Sequence, residues 1–141
     1  YSIEWGHLIH EIMADISTKS DIDLVLSHRI EKKIITQEIA RKIKGEIDSI
    51  INNKQISHLF SPHLKSFSEY NILCANGEVL RPDRVVIHSK DFASLIDYKT
   101  GEERVTHYNQ MKKYESVLFK MGYKTIDKYL IYLTKSDVIK L

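Results

Sequence analysis

Two apolar, strand-like runs have charged residues at their ends, and this pattern constrains the chain more than any other. Val85-Val86-Ile87 follows Arg81-Pro82-Asp83-Arg84, and Ala93-Ser94-Leu95-Ile96 leads into Asp97-Tyr98-Lys99-Thr100-Gly101. An unpaired carboxylate inside such a run is costly, by several kcal/mol if truly buried. Strand side chains alternate faces, so Asp97 and Lys99 point one way and Tyr98 the other. Two hard oxygen ligands beside one ammonium suit a divalent cation and a phosphate. The pattern therefore implies metal-assisted phosphodiester hydrolysis.

The first half of the chain has a helical period instead. Trp5, Leu8, Ile9, Ile12, Met13 and Ile16 predict a helix over residues 3–17. Ser20-Asp21 is a cap for a second, short helix holding Ile22, Leu24, Val25 and Ile30. Thr36 caps a third, whose stripe is Ile39, Ile43, Ile47 and Ile50 or Ile51, and Asn52-Asn53 ends it. A further helical turn falls within residues 55–60, before Pro62. Strands are then expected over 66–75 and 78–88, joined at the Asn76-Gly77 turn signal, and over 92–99 after Ser89-Lys90-Asp91. A helix follows over 104–121, closed by Gly122, and a fourth strand over 126–134. This order predicts an α/β domain with a mixed sheet of about four strands flanked by helices. Residues 1–62 form a helical lead-in and residues 63–141 the catalytic sheet and helix.

A chain of 141 residues fits one domain able to bury its own core, and 43% hydrophobic with 28% charged residues is ordinary for a globular protein. No apolar run reaches membrane-span length and no signal-peptide pattern opens the chain, so no membrane partner is expected. The single cysteine, Cys74, excludes an internal disulfide and a four-cysteine zinc or iron–sulfur site within this sequence. A reducing, cytoplasmic setting is the simplest reading. The start at Tyr1 suggests a segment of a longer polypeptide, or a processed or tag-removed terminus. Net charge is only +2, with local excesses over residues 28–54 and 112–141 that contact phosphates or are merely solvated helix faces.

Taken in order, several residues resemble the PD-(D/E)xK nuclease superfamily in its RecB/AddA-like branch. They are Gly6-x-x-x-His10 on the first helix, Glu69 on the first strand, Pro82-Asp83 on the second, Asp97-Tyr98-Lys99 on the third, and Gln110-x-x-x-Tyr114 on the following helix. Pro82 stands where RecB-like members often have glycine, and the cysteines that hold an iron–sulfur cluster in some relatives are missing. The resemblance implies a restriction-endonuclease-like core at the C-terminus of a bacterial UvrD-type helicase–nuclease. It also implies Mg²⁺ (or Mn²⁺) as cofactor and DNA, as single-stranded ends, as substrate. The partners it implies are the helicase domains of the same polypeptide and a second helicase–nuclease subunit.

Each residue has a duller alternative. The resemblance makes Asp83, Asp97 and the main-chain carbonyl of Tyr98 metal ligands; alternatively each aspartate is a turn residue or an ion-pair partner. Lys99 would position the attacking water and offset transition-state charge, or would only hold its strand through Asp97. His10 falls at the edge of the apolar stripe on the Met13 side, whereas His7, at roughly 100° per residue, lies nearly opposite that stripe. His10 is then a further ligand or an edge-of-core histidine on a carbonyl, and Glu11 a solvated acid. Glu69, sharing a strand face with Asn71 and Leu73, is an acid near the metal or a cross-strand partner of Arg81 or Arg84. Gln110 and Tyr114 share a helix face, and the resemblance implies that they line the cleft; alternatively Tyr114 is core with Val117, Leu118 and Met121. Arg84, Thr100 and Arg104 are candidate phosphate contacts.

The functional expectation is a divalent-metal-dependent DNase serving recombinational repair. The competing readings are a catalytically inactive DNA-binding module of the same fold and a free-standing exonuclease. No reading helix for sequence specificity is evident, so binding would rest on backbone charge and stacking.

Overall fold

A computed structural model describes residues 2–141 as three layers, with a mixed sheet between three helices on one face and a single helix on the other. The first helix, α1 (Ile3–Ala14), begins where the Ser2 hydroxyl accepts the Trp5 amide, and it buries Gly6, Ile9, Ile12 and Met13. It stops three residues earlier than the stripe suggests, although Ile16 still packs in the core. A single 3₁₀ turn, Lys19–Asp21, leads into α2 (Ile22–Glu31). Here the Asp21 carboxylate accepts the Ser17 and Thr18 amides, so Asp21 closes a capping box that starts at Thr18. α2 buries Ile22 and Leu26, while Leu24 is 73% exposed, against expectation. α3 (Gln37–Ile51) starts with the Thr36 hydroxyl accepting the Ile39 amide and buries Ala40, Ile43, Ile47, Ile50 and Ile51.

The sheet runs in the order β1 (Lys65–Ser68), β4 (Arg84–Ser89), β5 (Phe92–Lys99), β6 (Thr125–Tyr132), β7 (Asp137–Lys140). Only β5 and β6 are parallel, and α4 (Val105–Lys120) makes the crossover that parallel strands require. β5 is buried from Ala93 to Tyr98, as a strand covered on both faces must be. One face packs Val86, Ile96, Tyr98, Tyr129 and Ile131 against α1, α2 and α3. The other packs Val85, Ala93, Leu95 and Leu130 against Met111, Tyr114 and Leu118 of α4.

The two long strands expected over 66–75 and 78–88 are each broken. Glu69 takes a positive φ of 52°, and Pro82, which has no amide to give, interrupts the partner. Their far ends fold into a separate two-stranded ribbon, β2 (Ile72–Leu73) with β3 (Val79–Leu80). The Asn76-Gly77 turn joins them as expected, with Gly77 at φ +85°. The edge strand β7 follows a turn with Ser136 at φ 51° and was not anticipated. Among the described residues no helix is long and apolar enough to cross a membrane.

Candidate functional site

Antiparallel pairing puts Arg84 opposite Ile96, which sets Asp83, one residue before β4, beside Asp97 near the end of β5. The Asp83 amide donates to Asp97 Oδ1 at 3.4 Å. Asp83 in turn accepts on both oxygens, from the Tyr98 amide at 2.7 Å on Oδ2 and from His10 Nε2 at 2.9 Å on Oδ1. His10 thus reaches the acidic pair from α1, where its place at the edge of the apolar stripe leaves it half-buried. Because the N–H and C=O of one extended residue point the same way, the Tyr98 carbonyl also faces the Asp83 edge.

The Lys99 ammonium lies 2.5 Å from Asp97 Oδ2 and 2.5 Å from Gln110 Oε1. One helical turn on, the Tyr114 hydroxyl donates to the Arg81 carbonyl at 3.4 Å. The Tyr98 ring sits on the opposite face, edge-on to His10 with centroids 5.9 Å apart. A cavity of about 480 Å³ opens beside Lys99, between His7, His10 and Glu11 of α1 and Thr100 and His107 across from them.

Burial decides the electrostatics. Asp97 is 3% exposed, and burial together with the Asp83 charge pushes its carboxyl up to about 7, against the pull of Lys99. Burial pushes Asp83 up too, but the hydrogen bonds with His10, Asp97 and the Tyr98 amide outweigh it and hold it below the usual range. The hydrogen bond to Asp83 raises His10 despite its burial. Burial, and then the charges of Asp97 and Asp83, push the Tyr114 phenol up. Negative charge is concentrated here, and the cationic groups in contact with the two carboxylates are His10 and Lys99.

The donor set fits a hard or borderline divalent cation. His10 Nε2 and Asp83 Oδ1 are hydrogen-bonded at 2.9 Å, and a cation between them would take the place of the imidazole proton. Among the described residues no group of three His, Cys, Asp or Glu side chains is arranged to hold a metal ion by itself. Magnesium-type sites commonly use one or two carboxylates and fill the remaining positions with water and phosphate oxygens. The carboxylate and carbonyl oxygens suit Mg²⁺ and Mn²⁺, whereas the imidazole is a softer donor than Mg²⁺ prefers.

Not every sequence-derived candidate lies here. Arg84 is 1% exposed, so its expected role as a phosphate contact is corrected. Its guanidinium donates to the carbonyls of Ile16, Ser17 and Leu59 at 2.7 to 2.9 Å and lies over the Phe60 ring at 4.1 Å. Glu69 is not on a strand face. It sits in the break after β1 and pairs with Arg81 at 2.8 Å, although its charge still reaches His10. Thr100 borders the cavity, and its carbonyl accepts the Thr134 hydroxyl. Arg104 is exposed at the N-cap of α4. The residue that sequence reading missed is His107. Its signal was the spacing to Gln110, three positions along one helix face.

No family model matches the chain, and no curated protein is similar enough to it to stand as a match.

Proposed function

We propose that this chain is a divalent-metal-dependent nuclease domain that hydrolyses phosphodiester bonds in DNA. In this reading the three-layer sheet is a restriction-endonuclease-like core of the PD-(D/E)xK type. The observation that carries it is the convergence of Asp83, Asp97 and Lys99 in direct contact at one end of β4 and β5, with His10 arriving from α1. Asp83, Asp97, His10 and the Tyr98 carbonyl would hold Mg²⁺ or Mn²⁺, which polarises a bound phosphate and lowers the pKa of a bound water. Lys99 lies against the carboxylate that would grip the ion, so its ammonium is placed to offset the charge growing on the phosphate. Gln110 holds that ammonium from the other side and limits the directions in which it can swing. The Tyr98 amide fixes one Asp83 oxygen and leaves the carboxylate little freedom to rotate. A helicase partner on the same polypeptide, single-stranded ends as substrate and work in the bacterial cytoplasm complete the reading.

The test is cleavage of end-labelled single-stranded DNA with Mg²⁺ or Mn²⁺, with and without EDTA, by wild type and Asp97→Ala. Loss of a residue that only orients a metal ligand already costs roughly 10–100-fold in metal sites, so removing this carboxylate should lower the rate by more than roughly 100-fold. Cleavage that survives both EDTA and the substitution would refute the reading.

A further inference from the structure

Lys99 and Gln110 stand between two clefts. Gln110 borders one of about 440 Å³ together with Arg81 and Lys113. Lys99 borders the other, of about 480 Å³, together with Thr100 and His107. The two differ in the positive charge they offer an anion. In the first cleft Arg81 is committed to Glu69 and Lys113 to Glu78. Beside the second, Lys99 is likewise committed to Asp97, but Arg104, at the start of α4 one turn before His107, is exposed and makes no ion pair among the described residues. A nucleic-acid backbone leaving the acidic pair therefore meets free positive charge on the His107 side. Glu11 occupies the α1 wall of that cavity, which directs an anion to the α4 wall.

The imidazole on that wall is held in one orientation. His107 Nδ1 lies 2.9 Å from the Tyr132 hydroxyl. With the Tyr132 hydroxyl as the donor in this pair, Nε2 is the nitrogen that carries hydrogen. Nε2 makes no hydrogen bond among the described residues, and the ring is half-exposed at the cavity. Burial, with the charges of Lys99 and Arg104 after it, holds this imidazole below its usual pKa. A neutral N–H donor beside a free guanidinium binds phosphate without adding a charge that repels the metal.

We propose that His107 is a substrate-positioning residue whose Nε2–H, with Arg104, holds the phosphate next to the scissile one. This rests on the nuclease reading of the site and adds the direction in which the strand leaves it.

Steady-state cleavage of a short single-stranded oligonucleotide tests it. His107→Ala should raise KM about 10-fold, the usual loss for a hydrogen bond to a charged group, and leave kcat within about two-fold. His107→Gln, whose amide N–H can take the place of Nε2–H, should restore most of the affinity. Tyr132→Phe leaves the imidazole but releases its tautomer, and should raise KM by about three-fold. Unchanged KM in His107→Ala, or a fall confined to kcat, overturns the proposal. A titration of the metal-free wild-type domain with thymidine 3′,5′-bisphosphate, followed by NMR on the His107 ring signals, separates this inference from the catalytic one. A saturable shift of those signals supports the subsite even if no cleavage is found, and their constancy at saturating ligand overturns it. If His107→Ala does not fold, the Gln and Phe variants and the titration decide.

Discussion

Each face of the sheet carries one cation from the strands of the site, Arg84 following Asp83 in sequence and Lys99 in contact with Asp97, and the two are used in opposite ways. On the helical face Arg84 is enclosed, its fork spent on three main-chain carbonyls and its plane laid over Phe60. On the α4 face Lys99 touches a carboxylate and an amide oxygen at the edge of an open cavity. The rigid planar fork suits a fixed set of acceptors, and the flexible ammonium suits a position where partners change during a reaction. Position along a sheet does not settle what a charge is for. The kind of acceptor it meets, and whether those acceptors can let go, does.

Substitutions can break this contrast. The largest effect should come from Arg84→Ala, which strands three carbonyls and should lower unfolding free energy by about 3–5 kcal/mol in urea denaturation. Arg84→Lys should recover only part of it, since one ammonium cannot reproduce the fork. A cost near zero would mean that the enclosed guanidinium is not a brace. Lys99→Met should lower the cleavage rate by about 100- to 1,000-fold while costing less stability than Arg84→Ala. If its melting curve collapses instead, both cations are structural and the contrast is lost. His10→Ala should weaken Mn²⁺ binding by roughly 10–100-fold in calorimetry, a measure of how far α1 takes part in the site. Leu24→Gln, on the solvent side of α2, should change stability by no more than about 0.5 kcal/mol and serves as the control.

The chemistry-bearing core was legible because it depends on local spacing. Asp97 and Lys99 share a face by strand alternation and Gln110 and Tyr114 by helical period; Gln110 meets Lys99, and Tyr114 reaches the Arg81 carbonyl. The isoleucine stripe of α3 was equally readable, since one amphipathic face needs no knowledge of its partner. What escaped depends on distant neighbours. Arg84 sits beside an aspartate in sequence and resembles a surface cation. Its acceptors lie at the end of α1 and in the turn after α3, 68 and 25 positions away. The turn at Glu69 is similar, because an acidic residue gives no local warning that its backbone must take a positive φ. Strand β7 was missed because four residues at an edge carry too short an alternation to register.

The division of the chain into a helical lead-in and a catalytic remainder follows its sequence periods and conflicts with the way it is fastened. Arg84 ties the strand that follows Asp83 to Ile16, Ser17 and Leu59, and His10 comes from the same early segment. A fragment starting near residue 63 would expose one flank of the sheet and leave a guanidinium seeking acceptors in the interior. The smallest unit that can be excised with its chemistry intact therefore includes the opening helix.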